Sequence, residues 1–149
     1  AVDWNYATPA RISKLRIRDM GTVKNLDLSG FTELTYIDVC DLAQWINGAN
    51  VGLETLDLTK NTKLRYLAAN GNRVLQVLNL SGLAVLEEVQ IGGCNKLENL
   101  DLLASKSTLK RLNISSCKVT VNLAELSALE YCYISSTTQC DASTKHTGA

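Results

Sequence analysis

The residues of this chain that could attack a substrate, ligate a metal or move a proton are few, and their spacing does not bring them together. Cysteine is the most reactive type present, as Cys40, Cys94, Cys117, Cys132 and Cys140. No two of these have the C-x-x-C spacing of zinc knuckles and dithiol redox motifs. A nucleophilic Ser or Cys needs a base beside it, and the one histidine, His146, sits in a polar segment near the end of the chain, so Ser-His-Asp and Cys-His sites are not expected. Paired carboxylates do acid and base work when contrasting environments push their pKa values apart. Asp27, Asp57 and Asp101 instead recur, with Asn79, in equivalent surroundings. That column resembles a calcium ladder, but like charges about 4.8 Å apart in water repel by only about 0.9 kcal/mol. With Ser29, Thr55, Thr59 and Ser81 beside it for hydrogen bonds, the column needs no cation. Neither glycine-rich phosphate-binding pattern is present, and Gly92-Gly93 reads as a turn. Two N-x-S matches, at Asn79 and Asn113, fall inside predicted strands. The expectation is a chain with no catalytic residues, no metal and no cofactor.

Charge names no partner either. Fifteen basic and fifteen acidic residues balance, so nothing steers the chain to nucleic acid or acidic lipid. No apolar run is long enough to span a membrane. The chain begins Ala1-Val2-Asp3-Trp4, without Met, as expected of a processed or excised segment; a removed leader could have been a secretion signal. What departs from average composition is 24 leucines against one Phe, one Met and one Pro. One residue type at many positions means repetition.

Aligning each apolar-alternating hexad on its second apolar residue gives Leu15, Leu26, Ile37, Leu56, Leu67, Leu78, Val89, Leu100, Leu112 and Cys132. The spacing is 11 or 12 residues except for 19 between Ile37 and Leu56 and 20 between Leu112 and Cys132. Two kinds of half alternate. One carries Asp or Asn between its leucines, as in Leu56-Asp57-Leu58-Thr59. The other ends, three residues after its last apolar position, in Asn72, Cys94 or Cys117. The full repeat is therefore about 22 residues, and alternation within each half predicts a short strand with one buried face. A single coil cannot bury its own leucines, so about six must stack around one core. In the Asn/Cys column the cysteines read as small buried hydrophobes with a weak S–H donor. A Cys94–Cys117 disulfide is also compatible with column neighbours one strand spacing apart. Cys40 and Cys140 are the expected exposed thiols.

The stretch from Leu53 to Leu78, LETLDLTKNTKLRYLAANGNRVLQVL, resembles the short nested leucine-rich repeats of bacterial secreted and surface proteins, and the pattern extends over residues 12–136. The resemblance implies a right-handed solenoid, mostly β, with parallel strands of the Asn/Cys-ending halves on the concave side and the Asp-bearing halves on the convex side. It also implies an extracellular role in binding or adhesion.

Two departures interrupt the period. About eight residues are inserted near residues 41–52. There Asp41-Leu42-Ala43-Gln44 reads as a capping box and Gly48 as a stop, predicting one or two helical turns carrying Trp45 and Ile46. Before Leu129 a coil is two residues short, and the cap-like Asn122-Leu123-Ala124-Glu125 predicts one helical turn in place of a convex strand. Residues 1–11, with Trp4, Tyr6 and Pro9, are expected to cap the first coil, and residues 137–149 to form a polar tail. An uncapped last coil implies continuation in a longer protein or end-to-end self-association.

Residues flanking the buried position of each concave strand must point outward. These are Lys14, Arg16 and Arg18; Tyr36, Asp38 and Cys40; Tyr66, Ala68 and Asn70; Glu88, Gln90 and Gly92; Arg111, Asn113 and Ser115; and Tyr131, Tyr133 and Ser135. Four of the five tyrosines fall on this face. Tyr and Arg are enriched at interaction surfaces, yet Tyr also stabilises sheets by packing across strands; both readings stand. Six strands make a face about 24 Å long, suited to a peptide, an oligosaccharide or part of a protein interface. The expected function is a secreted or cell-surface recognition module that binds protein or glycan through this face. The alternative is a spacer or stalk segment of a larger surface protein, with no ligand of its own.

Overall fold

The computed structural model describes residues 9–20, 22–135 and 139–140, with Pro9 and the last pair by backbone alone. The expectations for Trp4, Tyr6 and His146, and for the side chain of Cys140, lie outside the described residues.

Short alternating hexads fold as three-residue strands whose middle residue faces the core and whose neighbours face outward, although Asp38 beside Ile37 is also covered. Six of them form one parallel sheet: β1 (Lys14–Arg16), β2 (Tyr36–Asp38), β6 (Tyr66–Ala68), β8 (Glu88–Gln90), β9 (Arg111–Asn113) and β11 (Tyr131–Tyr133). The register places Leu15, Ile37, Leu67, Val89, Leu112 and Cys132 in one inward row. The chain is thus a β-solenoid of about five turns, with almost no helix. On the opposite side β5 (Thr55–Asp57) pairs in parallel with β7 (Val77–Asn79), and an isolated bridge joins Asn25 to Thr55. Further along, β10 (Thr120–Val121) pairs with β12 (Gln139–Cys140), so pairing continues past residue 136.

Both rows of leucines meet in one core, where Leu28, Leu34, Leu53, Leu58, Leu64, Leu75, Leu86 and Leu109 have no exposed surface. Each leucine removed from water contributes roughly 2 kcal/mol. Leaving the long sheet, the first five strands are each followed by a sharp turn two residues after the last core position. Asp19, Asp41, Gly71, Gly93 and Ser116 all have positive φ there. At Gly71 a Cβ would meet the Asp41 carboxylate of the preceding coil, which would have to move aside for any other residue.

The next residue column seals the turn with hydrogen bonds between coils. Asn72 Nδ2 donates to the carbonyls of Val39 and Ala69, both at 2.9 Å, and its Oδ1 accepts from Leu42 N–H at 3.2 Å. One and two coils later the same place holds Cys94, whose Sγ donates to Ala69 O, and Cys117, whose Sγ donates to Ile91 O. Both are free thiols rather than a disulfide. On the other side Asn61 donates to Leu28 O and Phe31 O, and Ser105 Oγ donates to Leu83 O.

The insertion is not helical. β3 (Gln44–Ile46) and β4 (Ala49–Val51) form an antiparallel hairpin. Asp41 cannot act as a helix cap because it fills the left-handed turn column, with φ 54°. Asn47 and Gly48, with φ 50° and 81°, make the two-residue turn that Asn-Gly favours in hairpins. The shortened coil also differs from expectation: its strand β10 persists, and the turn at Leu123–Glu125 follows it. Asn122 does cap that turn, its side chain accepting from Ala124 N–H.

Candidate functional site

Parallel register turns the outward positions of the long sheet into three files. Lys14, Tyr36, Tyr66, Glu88, Arg111 and Tyr131 form the first, and Arg16, Asp38, Ala68, Gln90, Asn113 and Tyr133 the second. The third follows the strands, through Arg18, Cys40, Asn70, Gly92, Ser115 and Ser135. All eighteen outward candidates therefore lie along one face, but they are not equally available.

At the first-coil end the charges are satisfied internally. Asp38 is 5% exposed and takes Arg18 at 2.6 Å and Arg16 at 3.2 Å. Arg18 also donates to the Ile17 carbonyl. The Arg18 hydrogen bond outweighs burial and draws the Asp38 carboxyl down to about 2. Beside it the Cys40 thiol is pushed up to about 11, chiefly by burial and then by Asp38. A thiol so placed stays protonated and is a poor nucleophile.

In the middle, Tyr66 donates its hydroxyl to Glu87 at 2.7 Å, and Glu87 also takes Arg65 at 2.5 Å. The Arg65 guanidinium lies 5.7 Å from the Tyr66 ring centroid. Arg65, followed by Tyr66, holds the Glu87 carboxyl below its ordinary value. Glu87 and Arg65 were not among the candidates, although opposite charges one 22-residue coil apart signal such a pair. Lys24–Glu54 and Lys63–Glu33 follow the same rule at 30 residues, because the insertion lies between their members. Asn70 Oδ1 accepts from Gly92 N–H, Gln90 donates to Glu88, and Asn113 accepts from Ser115, so these amides also serve the sheet.

The last two strands differ. Tyr131 and Tyr133 are 37% and 39% exposed. Arg111, also exposed, pairs in register with Tyr131. Among the described residues, no hydrogen bond or ion pair engages the Arg111 guanidinium or either tyrosine hydroxyl. Lys14 is likewise exposed, and Tyr36 is half-buried against its neighbours.

On the opposite side Asp27 and Asp57 accept from the backbone N–H and hydroxyl two residues on, at Ser29 and Thr59, and Asn79 and Asp101 accept from the N–H of Ser81 and Leu103. These local bonds lower the Asp27 and Asp57 carboxyls. No cluster of three potential metal-ligating side chains occurs among the described residues. The open grooves on this side, of about 230 Å³ beside Asn79 and about 430 Å³ beside Asp57, are shallow. No described helix is long and apolar enough to cross a membrane.

No family model matches the chain, and comparison with curated proteins and with solved structures finds no significant match.

Proposed function

We propose that this chain is a leucine-rich-repeat recognition module, non-enzymatic and secreted or cell-surface, that binds a protein or glycan through its six-stranded sheet. Two features support the repeat type: Asn- or Cys-ending halves alternate with Asp-bearing halves, and the Asn/Cys column bonds successive coils. The observation that carries the functional reading is the exposed trio Arg111, Tyr131 and Tyr133. Elsewhere on the sheet several polar groups are tied to one another, as Asp38 is to two arginines and Tyr66 to Glu87. Here two aromatic rings and a guanidinium face solvent on short, rigid strands. Tyr and Arg in that setting offer large contact area with polar tips at low conformational cost. A row of such side chains suits an extended segment laid along the sheet.

Selection from displayed peptides and immobilised glycans supplies a ligand with which to test this. Replacing Tyr131 and Tyr133 together by Ala lowers its affinity by about 100-fold, on a scale where two interface anchors contribute one to two kcal/mol each. Circular dichroism stays unchanged, because neither ring belongs to the core. Tyr66→Ala has a smaller effect, since its hydroxyl is held by Glu87. Undiminished affinity in the double variant overturns the site.

A further inference from the structure

Residues 42–53, LAQWINGANVGL, contain no charged side chain, and the hairpin they build has no counterpart in the other coils. Its neck is closed tightly. Leu42 and Leu53 are buried in the core, and at Gly52 (φ +150°) a Cβ would stand 2.8 Å from Ala43 Cα and 2.9 Å from Leu42 O. Only glycine lets the two strands meet there. Its tip is the unstrained Asn47-Gly48 turn. The hairpin is therefore a fixed platform.

What the platform presents is Trp45, 70% exposed. Trp45 stands directly opposite Asn50, so both side chains project from the same face of the ribbon. Asn47 and Asn50 are exposed. Among the described residues neither amide, nor the indole N–H, has a hydrogen-bond partner. Ile46 and Val51 are half-buried. The combination is a bare aromatic face with a neutral amide beside it at Asn50 and another in the adjoining turn at Asn47. A pyranose ring has the complementary chemistry, with one face lined by C–H bonds and a rim of hydroxyls.

We propose that the outer face of this hairpin is a carbohydrate subsite, stacking one neutral hexopyranose unit of an oligosaccharide on Trp45 while the Asn50 and Asn47 amides bond its hydroxyls. The lack of any cation in residues 42–53 disfavours anionic saccharides and anionic lipid. One indole, with Ile46 and Val51 turned partly inward, is also a small apolar area for a bilayer. The subsite stands on the hairpin and not on the sheet, so its failure leaves the sheet-face reading untouched.

The test is titration of the ¹⁵N-labelled chain with soluble neutral oligosaccharides of glucose, N-acetylglucosamine, mannose, galactose and xylose. The Trp45 indole N–H resonance is identified by its loss in Trp45→Tyr. At least one sugar shifts that resonance saturably. Trp45→Ala weakens that sugar's binding by at least about tenfold, Trp45→Tyr by less because it keeps a ring, and Asn50→Ala severalfold. Both positions are exposed, so urea midpoints of the variants match the parent. No shift with any of the sugars, or affinity unchanged in Trp45→Ala, overturns the proposal. So does a blue-shifted Trp emission on neutral phosphatidylcholine vesicles without a response to sugar, which assigns the hairpin to a membrane surface instead.

Discussion

A few buried polar side chains hold successive coils together. Asn72 is the most heavily engaged, and replacing it by Leu strands the carbonyls of Val39 and Ala69 and the N–H of Leu42. The expected loss is about 2–4 kcal/mol in urea denaturation. Asn72→Cys is milder, because Cys94 and Cys117 already fill this position with an S–H donor; equal losses in the two variants contradict that account. Asp38 makes the fold sensitive to acid. Its folded-state carboxyl lies near 2, below the ordinary 3.8, mainly through Arg18. A depressed carboxyl stabilises the fold above the unfolded value and loses that contribution as pH falls from about 4 toward 2. With both arginines partly in solvent the contribution is about 1–2 kcal/mol. Asp38→Asn is therefore less stable than the parent at neutral pH and matches it near pH 2. A gap that persists at pH 2 refutes the assignment. The Asn/Cys column was legible in the sequence because its spacing repeats. The burial of Asp38 was not, since alternation placed it outward and it is covered by Arg16 on neighbouring β1 and Arg18 just after it.

Among the elements, the six strands of the long sheet follow directly from period-2 alternation recurring every 20 to 23 residues, or 30 across the insertion. The hairpin does not, because Asn47-Gly48 and Asp41 carry signals shared by two structures. Gly at the end of an apolar stretch marks a helix stop, and Asn-Gly marks a hairpin turn. The deciding fact is nonlocal: Asp41 has to serve the left-handed column shared with Asp19, Gly71, Gly93 and Ser116, which leaves no room for a helix start. The two hairpin glycines should then respond differently. Gly48 has open space around a Cβ, so Gly48→Ala meets only the backbone penalty of positive φ, about 1 kcal/mol. Gly52→Ala adds a backbone collision with Ala43 and Leu42. Thermal unfolding should place Gly52→Ala clearly below Gly48→Ala, and the reverse order contradicts a closed neck.

For the molecule as a whole, stacking converts a one-dimensional repeat into two unlike surfaces. The Asp-bearing side closes its polar groups in local turns at Ser29 and Thr59, whereas the long sheet carries aromatic and basic side chains in files. Periodicity sufficed to assign the candidates to one face. It could not rank them, because availability depends on partners from adjacent coils, such as Glu87 under Tyr66. That ranking moves the centre of the proposed site toward Arg111, Tyr131 and Tyr133. The most direct measurement is amide chemical-shift mapping of the chain with a selected peptide or glycan ligand. The account predicts shifts clustered at residues 111–115 and 131–135, fading toward β1. Shifts clustered instead around Asp57, Asn79 and Asp101, on the opposite side, contradict it.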